Sequence, residues 1–365
     1  MKRRSLLIGG GAVLALAGAG VAASFATMGS QDDYAKAMAA LRAPLGDGDP
    51  VRDSIRYATL AANGHNTQPW RFKVGDRAIH ITPDLSRRTP AVDPDDHHLF
   101  ASLGCAAENL ALAGAARGLI GEPRFVADGT GAVVFEHEAG APQASSLCDA
   151  IPGRQSTRAD FDGRAVAPAD LVVLEQSARA PGVALALITE RAQIDRVRDL
   201  IVAANTAQME DAAFVAELRS WMRFNPGAAL AQGDGLFSAS SGNPTLPTWI
   251  GGPMFDMVFK ANAENAKYVR QLDTSAGVAV FTGAEATPAS WFAVGRACQR
   301  FALQSTTLGL KCSFVNQPVE VAAMRPELAA LVGLPGRRPD IVMRFGYGAD
   351  LPMSPRRPVD AVIDA

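Results

Sequence analysis

The sequence predicts an α+β fold assembled from two tandem, related halves. Two observations carry this. Helical and strand-like segments both occur along the chain, and one helical pattern occurs twice. Gly104-Cys-Ala-x-x-Asn-Leu-Ala-Leu runs to Gly118-Leu119, and Gly295-Arg-Ala-x-x-Arg-Phe-Ala-Leu runs to Gly309-Leu310. Phe100 and Trp291 pair at the same offset. Agreement of this kind at one spacing is the mark of duplication. A third observation locates the function: residues 61–69, small or amide-bearing, join an apolar-periodic helix to the strand-like run Trp70-Arg71-Phe72-Lys73-Val74. Loops held between rigid elements are where binding groups concentrate.

Taken in order, Met1-Lys2-Arg3-Arg4 is basic and residues 5–30 carry no charge. A charged start, a run of Leu, Ala, Gly and Val, and small residues such as Ser24 and Ala26 mark an export signal. Arg3-Arg4 before Ser5-Leu6-Leu7 resembles a twin-arginine signal, which implies export to the periplasm in folded form. The run is also long enough to remain as a membrane anchor, since roughly 20 apolar residues span a bilayer. Its uniform surface lacks the polar face of a buried amphipathic helix. The expected organisation is a signal or anchor at 1–30, a first half at 31–150 and a second half at 151–365.

Removing Lys2, Arg3 and Arg4 takes the formal charge from −2 to −5 (−2 − 3). No basic stripe remains, which argues against a nucleic-acid partner. Cys105, Cys148, Cys298 and Cys312 form no CxxC pair, which argues against zinc. Cys105 and Cys298 lie in apolar helical runs and read as small core residues.

Residues 32–42 read as a helix, 44–50 as a loop and 53–62 as the helix before the amide-rich stretch, burying Ile55, Leu60 and Ala61. In the stretch itself, Asn63-Gly64 suit positive φ, and Gln68 before Pro69 is pushed out of the α region. Residues 77–83 alternate as a strand. Residues 84–96 are a proline-bearing connection, and 97–119 are a long alanine-rich helix stopped near Gly118. Residues 124–126 and 132–137 read as strands around Asp128-Gly129. His97-His98 behind Asp93, Asp95 and Asp96 sits at a helix start, where acids suit the dipole, and is not read as a metal site. His65 either donates to a substrate or faces solvent.

The segment Asn63-Gly64-His65-Asn66-Thr67-Gln68-Pro69-Trp70-Arg71-Phe72 resembles the "APSxxNxQPWxF" signature of nitroreductase-like flavoproteins. Asn66, Gln68, Pro69 and Trp70 match position by position, while Asn63 stands where the family usually has serine. Arg154-Gln155-Ser156-Thr157-Arg158 resembles the family's RxSxR segment. The resemblance implies a nitroreductase-like fold, with a mixed sheet in each half and the repeated helices packed in an intramolecular pseudo-dimer. The first half keeps the QPW loop but lacks RxSxR. The second keeps RxSxR, and its loop counterpart has shrunk to Ala180-Pro181-Gly182-Val183. In the family one FMN site draws on both motifs, so the resemblance implies one FMN between the halves.

The implied FMN contacts are Asn63, Gly64, Asn66 and Gln68 in the loop, Arg154, Ser156 and Arg158 in RxSxR, and Ser313. Arginine suits the phosphate because its planar fork stays charged. A surface-charge reading of Arg154 and Arg158 is the weaker one, since cations are disfavoured near a helix start. Arg158 is implied near flavin N1/O2, and the backbone at 312–314 near N5. After the strand-like run 341–348, Arg356-Arg357 resembles the closing "RRP" segment, where a basic residue meets the phosphate. Either arginine fits, as does a solvated pair.

Residues 221–249 are punctuated by glycine and proline, which excludes long regular elements. A loop this long is usually a lid or binding loop. Phe224, Leu230, Leu236 and Phe237 are expected to fold over the site. Trp221, Met222 and Phe224 either pack on the ring or anchor the lid. The chain resembles the Acg-like subgroup, in which the corresponding segment covers the flavin. The implied function is an FMN-dependent oxidoreductase. It passes electrons from NAD(P)H through the flavin, which carries the chemistry, to nitroaromatic- or quinone-like acceptors. The alternative is an FMN-sequestering protein whose lid shuts out nicotinamide. The expected assembly is a monomer or weak dimer.

Overall fold

The computed structural model describes Phe25 and residues 27–364. The apolar run at 5–24, read as a signal or anchor, lies outside the described residues. The first half opens with helix α1 (Gln31–Leu41), whose Ser30 cap accepts from the Asp33 amide. Helix α2 (Pro50–Thr59) is capped by Asp49, with proline at its first position, where the missing N–H costs nothing. Strands β1 (Trp70–Val74) and β2 (Ala78–Pro83) form a hairpin. Helix α3 (His97–Ala116) follows, then β3 (Pro123–Val126) and β4 (Ala132–Glu136). The sheet order is β1-β2-β4-β3.

The second half repeats this plan. Helix α4 (Pro168–Ser177) leads to β5 (Val183–Ile188). An insertion, residues 189–276, then carries α5 (Arg191–Glu210), α6 (Ala212–Ser220), α7 (Pro226–Gln232), α8 (Thr248–Val258) and α9 (Ala261–Asp273). The pattern resumes with β6 (Gly277–Gly283), α10 (Pro288–Thr307) and β7 (Lys311–Phe314). The short helix α11 (Gln317–Glu320) and β8 (Ile341–Gly346) complete it. This sheet runs β7-β8-β6-β5, the same order as the first when the strands of each half are counted along the chain. The duplication read from one helix therefore extends to both sheets.

All ladders within the two four-stranded sheets are antiparallel. The mixed character expected of each sheet is confined to parallel bridges, Ser156 with Cys312 and Phe72 with Ile363. The second bridge brings the C-terminal end back onto the first half. The Phe72 amide donates to Val362 O at 2.8 Å, and the Asp364 amide to Phe72 O at 2.7 Å.

The halves meet where α3 crosses α10. A Cβ on Gly104 would lie 2.1 Å from Phe292 O, and one on Gly295 would lie 1.9 Å from Ala101 O. These are equivalent positions of the repeat, and each supplies the gap into which the other helix's backbone fits. Around the crossing, Glu108 is buried between Arg296 (2.7 Å) and Arg300 (2.8 Å). Gln299 Nε2 donates to Asn109 Oδ1 at 2.8 Å. Cys105 and Cys298 are buried apolar-site residues, as expected.

Candidate functional site

A cavity of about 600 Å³ lies between the halves. The amide-rich loop forms one part of its wall, and RxSxR with β7 forms another. The insertion adds α5, α6, α8, α9 and the segment between α7 and α8, and α3 and α11 contribute His98 and Glu320.

The loop's backbone is unusual. His65, Asn66 and Gln68 hold φ of 45°, 53° and 53°, a left-handed conformation few non-glycine residues adopt. Positive φ was expected at Asn63-Gly64, but Asn63 is extended (φ −162°) and Gly64 is not left-handed. Asn63 braces the turn instead: its Oδ1 accepts from the Gln68 amide at 2.8 Å and its Nδ2 donates to Ala61 O at 3.1 Å. Such strain persists only where surrounding contacts fix it, commonly at binding sites.

Of the expected contacts, Asn63, Gly64, Arg158 and Ser313 line the cavity. Asn66, Gln68, Arg154, Ser156, Arg356 and Arg357 are not among its lining residues. Ser156 is tied to β7 through its backbone bridge. Asn66 Nδ2 donates to Gly235 O and Pro355 O, both at 3.0 Å. Gln68 Nε2 donates to Gly233 O at 2.9 Å, and its Oε1 accepts from the Arg357 amide at 2.9 Å. These amides therefore fasten the loop to the insertion and to the C-terminal tail. Arg357 also donates to the Gln68 and Trp70 carbonyls and faces Asp84 at 3.6 Å.

Arg154 and Arg356 converge on the C-terminal end of α2. Arg154 donates to Leu60 O at 3.0 Å, and Arg356 donates to Thr59 O, Leu60 O and Ala61 O. Arg154 Nε remains without a partner. A third guanidinium, Arg42, lies at the end of α1 and donates to Ser354 O. Burial, then Arg154, pushes Arg42 down to about 10. Burial, then Arg42 and Arg154, lowers Arg356 well below its usual value. Among the described residues none of the three makes an ion pair with a carboxylate, whereas Arg296, Arg300 and Arg223 all do. Buried like charges without a counter-ion are costly. Arg356 spends all five donors on protein oxygens, its remaining two on Asn66 Oδ1 and Pro355 O, so it favours an anion such as a phosphate by its charge alone, whereas Arg154 keeps a free Nε–H to offer one. Arg42 was invisible in the sequence because a basic residue ending a helix already has an ordinary explanation in the dipole.

The RxSxR segment is held from behind. Fully buried Arg344 donates to the Thr157, Ala159 and Gln271 carbonyls and stacks on Phe161 at 4.0 Å. Gln271 Nε2 donates to Arg158 O at 2.6 Å, and Arg158 donates to Ser241 Oγ at 3.3 Å. Burial lowers Arg158 from its usual value.

The cavity has two chemical faces. Phe214, Met222, Phe224, Leu246, Met254 and Phe255 form an apolar face. His65, His98, Lys267, Tyr268 and Glu320 form a polar one that the sequence reading largely missed. Burial depresses His65 to about 4 and raises Tyr268 to about 12. Burial also disfavours charge on His98, but Glu320 and Asp93 outweigh it and raise the imidazole above its ordinary value.

The lid expectation needs correction in part. Phe224 and Leu236 line the cavity. Phe237 turns away onto Tyr34, with ring centroids 4.4 Å apart, and Leu230 stays 38% exposed. Trp221 does not line the cavity but lies against Arg87 and Arg223 at 5.5 and 5.9 Å. Both arginines pair with buried Asp234, Arg223 at 2.6 Å. Over the expected span 221–249 the longest element up to Pro247 is the seven-residue α7, but the eleven-residue α8 starts at Thr248, so the exclusion of long elements fails at the end of the span.

No family model matches the chain. The chain is similar to nitroreductase-named mycobacterial proteins. "Putative NAD(P)H nitroreductase Rv3131" of Mycobacterium tuberculosis is 25% identical over 344 residues, 90% of this chain and 95% of that protein. "Putative NAD(P)H nitroreductase acg" of the same organism is 23% identical over 344 residues, 86% and 95% respectively. Among solved structures, the FMN-dependent nitroreductase NfnB of Mycobacterium smegmatis in complex with NADPH covers 60% of this chain and 97% of its own. Its TM-score is 0.41 at 14% identity. A nitroreductase with bound FMN from Desulfitobacterium hafniense gives 0.40 at 15% identity, covering 61% and 99%. Overlays this loose carry no weight here. The fold rests on its own sheets and crossing.

Proposed function

We propose that the chain is an FMN-dependent oxidoreductase taking electrons from NAD(P)H and passing them to an aromatic acceptor of quinone or nitroaromatic type. The observation that carries this reading is the cavity between the halves. It is lined by Asn63, Gly64 and His65 of the amide-rich loop and by Arg158 of the RxSxR segment, while Arg42, Arg154 and Arg356, which lack carboxylate partners, lie outside its lining, around the end of α2 that leads into the loop. The names of the mycobacterial relatives support it. Arg154 would meet the FMN phosphate through its free Nε–H, Arg42 and Arg356 would add positive charge, Arg158 would place positive charge near N1/O2, and the 312–314 segment would lie near N5. When bound, the flavin supplies the two-electron carrier, and the protein supplies position and electrostatics. The apolar face suits a flat hydrophobic acceptor and excludes water from it.

A second reading is favoured by the lid's fastening. Asn66, Gln68 and Arg87 hold residues 233–235 directly, so a closed lid would leave an FMN-sequestering protein with little turnover. The deciding experiment is anaerobic absorbance before and after NADPH, with flavin released by denaturation and counted. We expect close to one FMN per chain, bleached by NADPH. Bound flavin that NADPH leaves oxidised would favour sequestration. Two flavins per chain, or none, would overturn the single-site reading. We further propose export through the twin-arginine-type segment, with the acceptor met outside the cytoplasm or at the membrane.

A further inference from the structure

We propose that His98 is the proton donor to the acceptor bound in the cavity, with Glu320 as its positioning residue; this rests on the oxidoreductase reading. Both residues line the cavity, as do the apolar groups of the insertion. His98 Nε2 lies 3.4 Å from Glu320 Oε1, and Glu320 Oε2 accepts from Gln208 Nε2 at 2.6 Å. The His98 amide donates to Asp93 Oδ1 at 3.1 Å, which fixes the first turn of α3. The pair comes from two halves, His98 from α3 and Glu320 from α11, so it forms only when the cavity forms.

The chemistry requires a proton. Reducing a quinone to a hydroquinone takes a hydride and a proton. Reducing a nitro group to a nitroso group and water takes the same. The reduced flavin would supply the hydride. The proton would pass from the His98 imidazolium to the acceptor oxygen, breaking N–H and forming O–H, and leave His98 neutral beside the Glu320 carboxylate. A second cavity of about 10 Å³, the size of roughly one water, is bounded by His98, Asp93, Thr89 and Ser102 and offers a route for reprotonation.

The charges facing His98 are consistent with this role. Glu320 and Asp93 raise its affinity for a proton, and Arg338 lowers it. Its neighbours His97 and His65 are both depressed, burial being the first cause, and so stay neutral near pH 7. His98 is therefore the most readily protonated imidazole of the three, and the one that lines the cavity with a carboxylate oxygen at 3.4 Å.

The test compares two acceptors in FMN-loaded wild type, His98→Gln and Glu320→Gln. Menadione needs a proton to become hydroquinone, whereas ferricyanide takes single electrons without one. In His98→Gln we expect reoxidation of the reduced flavin by menadione to slow about 100-fold, with ferricyanide reoxidation at the wild-type rate. In Glu320→Gln the menadione rate should fall off at lower pH than in wild type, because His98 loses the carboxylate that raises it. An independent readout is the His98 imidazole titration by NMR on the full chain, which should move down in Glu320→Gln. Equal slowing with both acceptors, or no slowing with either, would overturn His98 as donor while leaving the oxidoreductase reading intact. A wild type that reduces neither acceptor would overturn that reading, and the proposal with it.

Discussion

The first two strands of each half are joined in opposite ways. In the first half, β1 and β2 are linked by residues 75–77, a tight turn closed by the Gly75 amide on Ala78 O. In the second, β5 and β6 are linked by residues 189–276. The strand order is otherwise the same, so the difference isolates what the insertion does. Over the second sheet, α5 and α9 cover the outer face, and Val278, Val280 and Val342 pack against Ile194, Val197 and Leu272. Strands β6 and β8 are buried along their whole length, and their largely apolar sequences are interrupted only by Thr282 and by Arg344, whose guanidinium is taken up by carbonyls. Strand β1 lacks such cover and ends exposed at Lys73 and Val74. The same insertion then reaches over the interface and supplies the cavity's apolar face. A duplicated scaffold thus becomes a single asymmetric site through one enlarged hairpin.

The largest effects are expected where the two halves are still equivalent. Gly104→Ala and Gly295→Ala each drive a methyl into a facing backbone carbonyl that cannot swing aside. Each should cost about 3 kcal/mol or more, read as a lowered urea midpoint. Gly46→Ala, with open space around it, should change stability by no more than about 0.5 kcal/mol. Near-equal losses at 104 and 295 would sharpen the symmetry. Tolerance at either would mean that the crossing is not built as described.

Next comes the insertion's latch. Asp234 is buried and pairs with Arg87 of the first half and Arg223 of the second. Removing one partner of a buried pair typically costs about 3 kcal/mol. Asp234→Ala should therefore loosen residues 226–247, giving faster proteolysis there and faster flavin bleaching by NADPH. Replacing 224–247 with a Gly/Ser linker should show the same bleaching, measured at equal FMN content. Slow bleaching in both would mean that the barrier is not the lid.

What the sequence disclosed follows from which forces are local. Helices at 31–41, 50–59 and 97–116 and strands at 70–74 and 78–83 fell within a few residues of expectation, because caps, prolines and periodicity act over short spans. The repeat was legible because crossing geometry requires glycine. The amide-rich loop lines the cavity through Asn63, Gly64 and His65, but the fastening contacts of Asn66 and Gln68 were not legible. Their partners are the carbonyls of residues 233, 235 and 355, far along the chain. Leu230 and Phe237 were misplaced for the same reason: apolar character alone does not say which core a lid residue joins. His98 read as a helix-start residue, and only tertiary packing sets it against Glu320.

The smallest predicted effect concerns the asymmetry left in the motifs. Arg154 belongs to the second half but donates to the end of α2 in the first, with its Nε unpartnered. If Arg154, Arg42 and Arg356 hold a phosphate, a dianion relieves the mutual repulsion that burial makes costly. Removing one charge-assisted contact costs about 1.5–3 kcal/mol, or about tenfold or more in affinity. Arg154→Ala should therefore weaken FMN by at least that factor while riboflavin, which lacks the phosphate, changes little. In wild type, FMN should raise the thermal midpoint more than riboflavin does at equal concentration, because only FMN neutralises the cluster. Titrating both ligands against both proteins by flavin fluorescence separates the contributions. Equal weakening of FMN and riboflavin would place Arg154 at the ring end of the cofactor, or in the packing of α2 alone. The phosphate would then have to be met by Arg42, because the donors of Arg356 are already taken by protein oxygens.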